Sequence, residues 1–170
     1  MNLRWLFLLP MFCWAHLSTA RQASQGYALM LRGLYKNSVP VIQPSQLAAQ
    51  LKTNPQNFVL LDVRTPKEYQ VSHLTGARFL HYNKVSDKQL KALPKDKTMV
   101  VYCSVGYRSE RLGEKLLALG YKNVVNLYGG LFQWVNEGLP VVNEKGPTAK
   151  VHAYSKTWGI WLTKGEKVYD

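Results

Sequence analysis

The sequence predicts an α/β fold: an open, mostly parallel sheet with helices on both of its faces. Three observations point there. Phe58-Val59-Leu60-Leu61-Asp62-Val63 and Thr98-Met99-Val100-Val101-Tyr102 are continuous apolar runs rather than alternating ones, and unbroken runs mark strands buried on both faces of a parallel sheet. The second run leads directly into a stretch where Leu112, Leu116, Leu117 and Leu119 recur at helical spacing. Finally, strand and helix signals alternate along the chain. In such sheets ligands bind beyond the carboxyl ends of the strands. Asp62 and Cys103 both stand at such ends.

Taken in order, Tyr27-Ala28-Leu29-Met30-Leu31 with Leu34 and Tyr35 suggests a short leading helix, and residues 21–38 read as a helical extension. Val39 to Ile42 suggests a small strand. Pro44 to Leu51 suggests a helix, since proline suits the first turn, where its missing N–H costs nothing. The turn Pro94 to Lys97 introduces the strand Thr98–Tyr102. A helix over Arg108 to Leu119 should close at Gly120, a residue suited to a C-cap. Val124 to Leu127 reads as a third strand, and Gly130 to Val135 as a last short helix. The sheet domain is therefore expected over 39–142. Residues 143–170 carry five lysines yet also Val151, Tyr154, Trp158, Ile160 and Trp161. A free tail seldom holds two tryptophans, so this extension is expected to pack on the domain.

At 170 residues, 46% apolar and 19% charged, the chain suits one globular domain with a core of its own. No apolar run is long enough to cross a bilayer, so no stable membrane insertion is expected. The first twenty residues differ in character: Arg4, then a nearly unbroken apolar stretch from Trp5 to Trp14, then Leu17-Ser18-Thr19-Ala20. That grammar is a signal peptide cleaved near Ala20, with a periplasmic or secreted mature protein. Pro10 within the run argues against a first helix instead. Cleavage would remove Cys13 and leave Cys103 as the only cysteine, so the mature chain could form no internal disulfide. Two cysteines are also too few for a zinc site. The formal charge of +12 favours anionic partners, an acidic protein among them. The basic residues are scattered, with no basic run and no interleaved aromatics, so nucleic acid is not expected.

The chemistry points to one loop. Cys103-Ser104-Val105-Gly106-Tyr107-Arg108-Ser109 joins a buried strand to a helix N-terminus, where backbone N–H groups lack intrahelical partners. Gly106 permits the unusual backbone angle that lets Ser104, Val105, Gly106, Tyr107 and Arg108 turn such groups toward one point. The helix dipole adds to this anion cradle. A cysteine there is favoured as thiolate, the form that attacks sulfane sulfur. An inert buried cysteine is the competing reading.

Three stretches carry a family resemblance. Asp62-Val63-Arg64-Thr65-Pro66-Lys67-Glu68-Tyr69 with His73-Leu74-Thr75-Gly76-Ala77 resembles the first rhodanese motif, and Cys103 to Ser109 resembles the rhodanese active-site loop. Gly120-Tyr121-Lys122-Asn123-Val124, with Leu127, Gly129-Gly130 and Trp134, is similar to the family's closing motif. Ser72 stands where the family usually has glycine. The resemblance covers about residues 41 to 142 and implies a rhodanese-like fold and a two-step sulfur transfer without a cofactor. Cys103 would take sulfur from a small donor such as thiosulfate and pass it, from a persulfide, to a thiol or cyanide. The loop amides would hold the persulfide and Arg108 the donor's oxyanion end. Asp62 and Arg64 are supporting candidates, with a structural ion pair the favoured role. His73 is expected to make a core hydrogen bond, and Gly129-Gly130 to form a tight turn. A non-catalytic sulfur carrier or binding module is the alternative. A cysteine phosphatase stands lower, because such enzymes place five residues between Cys and Arg where this loop has Ser104, Val105, Gly106 and Tyr107.

Overall fold

A computed structural model describes residues 24–170; the expected leader at 1–20, with Cys13, lies outside the described residues. The chain divides into two compact units, Met1–Gly33 and Leu34–Asp170. In the first, residues 24–33 are helical (α1), where the leading helix is expected.

The second unit is built on a five-stranded sheet in the order β1-β5-β4-β2-β3. Its strands are β1 (Val41–Ile42), β2 (Phe58–Asp62), β3 (Arg78–Phe79), β4 (Thr98–Tyr102) and β5 (Val124–Leu127), and every pairing is parallel. The expectation of a mostly parallel sheet is met. Central strands β2 and β4 pair over their full lengths, from Phe58 opposite Thr98 to Asp62 opposite Tyr102. Every residue after the first of each is buried, and this is why both read as unbroken apolar runs. Strand β1 is shorter than the expected Val39–Ile42. Pro40 has no N–H to give, and only its carbonyl joins the ladder, accepting from Asn126 N–H.

Alternate residues of β2 and β4 face opposite sides. Val59, Leu61, Met99 and Val101 share one core with Leu90 of α4 (Asp87–Lys91) and with Leu112 and Leu116 of α5 (Tyr107–Ala118). Leu60, Val100 and Tyr102, on the other side, are equally buried. Helices α2 (Pro44–Thr53) and α6 (Gly130–Asn136) contact one another, and α6 contacts β5. Gly120 leaves α5 with φ +86°, as its capping role requires. Tyr121 then donates to the carbonyls of Leu90 and Leu93, at 2.5 and 2.9 Å, tying the end of α5 to that of α4.

The helix α3 (Pro66–Val71) was not among the expected elements, although its start is written locally. Thr65 Oγ1 accepts from Glu68 N–H while the Glu68 carboxylate accepts from Thr65 N–H, a reciprocal cap behind a proline.

The sequence reading makes α6 the last helix, and the structure corrects this with a further one. Beyond α6 lie β6 (Val141–Asn143) and β7 (Gly146–Thr148), an antiparallel pair. Next come β8 (Lys150–His152), α7 (Lys156–Gly159) and β9 (Glu166–Val168), with β8 and β9 parallel. These pieces are too short to show a period, and tertiary partners decide them. His73 and Val142 exchange backbone hydrogen bonds, β8 contacts α3, and Val151, Ala153 and Leu162 are fully buried. No helix among the described residues is long and apolar enough to cross a membrane.

Candidate functional site

Cys103 follows β4 directly, at the carboxyl edge of the sheet, and is 1% exposed. Its Sγ accepts from Gly106 N–H at 3.2 Å, and Ser109 Oγ lies 3.7 Å away. Gly106 adopts φ +101°, and a Cβ there would fall 1.9 Å from the Tyr35 hydroxyl, so glycine is required on both counts.

Four neighbours fix the shape of the loop. Leu131 and Phe132, in the first turn of α6, donate their N–H groups to the carbonyls of Cys103 and Ser104 at 2.8 and 3.0 Å. Gly130 allows that approach, since a Cβ would come within 2.4 Å of the Cys103 carbonyl oxygen. The glycine pair is therefore a tight turn, as expected, and also the seat of the loop. Tyr35 donates to the Val105 carbonyl at 2.7 Å and accepts from Gly129 N–H at 3.0 Å. Burial pushes the Tyr35 hydroxyl's pKa above its ordinary value, so it remains a neutral bridge. The fourth is Asn126, which donates to the Gly106 carbonyl at 3.0 Å and accepts from Ser109 Oγ at 2.7 Å.

Below the loop stands a carboxylate that sequence reading placed only within a motif. Glu68 is 1% exposed and accepts from Ser104 Oγ at 2.6 Å and from Arg108 through both terminal nitrogens, at 3.0 and 2.8 Å. Burial alone would raise the Glu68 pKa. The hydrogen bonds and charge of Arg108 outweigh it and hold the value at about 2. Arg108 is likewise held charged: burial opposes this, but the nearby Cys103 sulfur and the Glu68 carboxylate prevail. The guanidinium is thus committed to Glu68 and Ser104, with part of its face under the Tyr154 ring at 5.3 Å.

Asp62 and Arg64 form a bidentate pair with both side chains fully buried, and Arg64 also donates to the Ser72 carbonyl. The pair joins the end of β2 to the end of α3. The side chains of the pair bond to each other and to the Ser72 carbonyl. His73 Nδ1 donates to the Tyr69 carbonyl at 2.9 Å, and its ring stacks on Tyr69. His81 accepts from Asn83 N–H in a surface turn. None of the three residues Asp62, Arg64 and His81 lines the cavity over Cys103.

That cavity, of about 280 Å³, is bounded by Leu34, Val105, Tyr107, Arg108, Tyr154 and Trp158. Its walls are chiefly apolar. Among the described residues no cluster of acidic, histidine or cysteine side chains is arranged to hold a metal. Chemically the arrangement offers a buried sulfur nucleophile with an amide donor, a nearby cation and an open approach.

The family model described as the rhodanese-like domain matches residues 43–137. A sulfurtransferase of Allochromatium vinosum is 32% identical, over 60% of this chain and 94% of its own length. The thiosulfate sulfurtransferase YnjE of Escherichia coli K12 is 37% identical over 52% of this chain, but the match spans only 23% of that larger protein. A rhodanese-related crystal structure from Thermoplasma volcanium is 32% identical, with TM-score 0.56, and covers 62% of this chain and 99% of that one.

Proposed function

Because the chain belongs to the rhodanese-like family, we propose that it is a sulfurtransferase in which Cys103 carries sulfane sulfur as a persulfide. The observation that carries this reading is the Cys103 sulfur itself. It stands at the end of a central strand, takes the Gly106 N–H at 3.2 Å, and faces a cavity.

The Cys103 thiolate attacks the outer sulfur of a donor such as thiosulfate. A new S–S bond forms on Sγ, the donor's own S–S bond breaks, and sulfite departs with the electron pair. An acceptor thiolate or cyanide then attacks the outer sulfur of the persulfide and releases the Cys103 thiolate. Neither half needs an oxidant or a general base, because thiolate enters and thiolate leaves. The Gly106 amide and the Arg108 charge favour the anionic persulfide between the two halves. Bonds from α6, Tyr35 and Asn126 to its carbonyls hold the loop in this shape.

Incubation with thiosulfate should add one sulfur, about 32 Da, to the protein. Cyanide should remove it as thiocyanate, and Cys103→Ser should abolish both steps. Mass spectrometry decides this: no sulfur adduct on the wild-type protein from any sulfane donor would overturn the reading. An adduct that forms but turns over too slowly to count as catalysis would make the protein a sulfur carrier.

A further inference from the structure

The family match ends at residue 137, yet two walls of the cavity over Cys103 come from beyond it. Tyr154 lies between β8 and α7, Trp158 lies within α7, and both line that cavity. Their positions are built rather than incidental. Tyr154 holds a left-handed backbone, φ +65°, which a tyrosine adopts only where its surroundings compel it. Its N–H donates to His152 Nδ1 at 3.1 Å, and its ring covers the Arg108 guanidinium. Ser155 caps α7 by accepting from Trp158 N–H. On either side, Ala153 and Leu162 are fully buried, anchoring the segment.

These rings change what the cavity can hold. Its volume, about 280 Å³, equals roughly nine waters at ~30 Å³ each. Thiosulfate, one sulfur carrying three oxygens and a second sulfur, leaves much of that space unused. Arg108 is the one charged side chain among the residues lining the cavity, and Glu68 already engages both of its terminal nitrogens. A small dianion therefore meets a largely compensated cation, whereas a hydrocarbon or aromatic group meets Leu34, Tyr154 and Trp158.

We propose that Tyr154 and Trp158 set donor specificity, so that the site prefers sulfane sulfur bonded to an organic group, an organic thiosulfonate or persulfide, over inorganic thiosulfate. The inference rests on the sulfurtransferase reading above. With a thiosulfonate, the Cys103 thiolate bonds to the outer sulfur and the S–S bond to the sulfonyl group breaks. The organic sulfinate leaves with the electron pair, and no proton or oxidant is required.

The test compares benzenethiosulfonate with thiosulfate on the full chain, with cyanide as the common acceptor. The wild-type ratio of kcat/KM should favour the aromatic donor by about tenfold or more, the range one well-packed apolar group supplies. Trp158→Ala and, independently, Tyr154→Ala should each lower that ratio several-fold, through the KM of the aromatic donor rather than its kcat. Trp158→Phe should restore part of it. Tyr154 is half exposed, so its variant tests the wall even if truncation at Trp158 impairs folding. Equal use of the two donors by the wild type, or a loss of kcat alone with the ratio unchanged, overturns the aromatic wall while leaving sulfur transfer standing. Absence of a persulfide from either donor overturns the transferase reading itself.

Discussion

Glu68 shows how one side chain serves two levels of structure. It closes the N-terminus of α3 through Thr65 and, forty residues away in the chain, it holds Ser104 and Arg108 of the sulfur loop. Its carboxyl is held at about 2 against an ordinary 4.5. A depressed carboxylate stabilises the fold above its unfolded value, and that contribution is lost as pH falls from about 4.5 toward 2. The shift corresponds to a contribution on the order of 3 kcal/mol at neutral pH. Glu68→Gln should lower the neutral-pH stability by an amount of that order. The gap from wild type should narrow as the melts are taken down to about pH 3; a gap independent of pH would show that the charge is not what matters. Arg108→Ala isolates the other partner. It should reduce sulfur loading from thiosulfate while a persulfide already formed persists, because the Gly106 amide still faces the sulfur. Tyr35→Phe removes a hydroxyl with two backbone partners and should cost about 1–3 kcal/mol, read by denaturant melts.

Among the elements, α6 seats the loop, and the segment after β8 with α7 brings Tyr154 and Trp158 to the cavity. The first turn of α6 lends two N–H groups to the loop carbonyls, and Gly130 makes the contact possible. Gly130→Ala should therefore strain a left-handed residue and push against Cys103 and Ser104 together. We expect a loss of about 2–4 kcal/mol with a comparable fall in the rate of sulfur loading. Near-native loading in this variant would mean that α6 does not hold the loop. Truncation after Asn143 removes β7, β8, α7 and β9 along with the buried Val151, Ala153 and Leu162. A drop of a few kcal/mol should follow, and an unchanged Tm would show that the segment adds no stability.

Across the whole molecule, the charge of +12 bears on encounter rather than on fold. We propose that this surface draws anionic donors or an acidic protein acceptor. The on-rate for such a protein should then fall as salt rises through the physiological range, where screening acts over about 8 Å; a salt-independent rate would remove the idea. We also propose that residues 1–20 are a leader. Protein recovered from its native host should begin at or near Arg21 and lie outside the cytoplasm, and an intact Met1 on cytoplasmic protein would refute this.

Much of this molecule could be read before it was folded, because the signals concerned are local. The bounds of β4 and β5 come straight from apolar runs, those of α5 within a residue from helical spacing, and the start of α2 from its proline. Cys103 stood out because a strand, a glycine and a helix start adjoin it. Some missed features also left local traces. Thr65-Pro66-Lys67-Glu68 is a helix-capping sequence, and Asn126 is a polar residue inside a buried strand, a position that demands a partner. Neither trace names the partner, and there the sequence alone stops. By itself it determined the parallel α/β sheet and the place of Cys103 at its carboxyl edge, since both follow from periodicity and from neighbours along the chain. Only the tertiary structure decided that Glu68 engages Arg108, that Tyr35 and Asn126 shape the loop, and that Tyr154 and Trp158 stand over Cys103. Those contacts join residues about forty to seventy positions apart in most cases, and at such separations it is the path of the folded chain, not local propensity, that determines which groups meet.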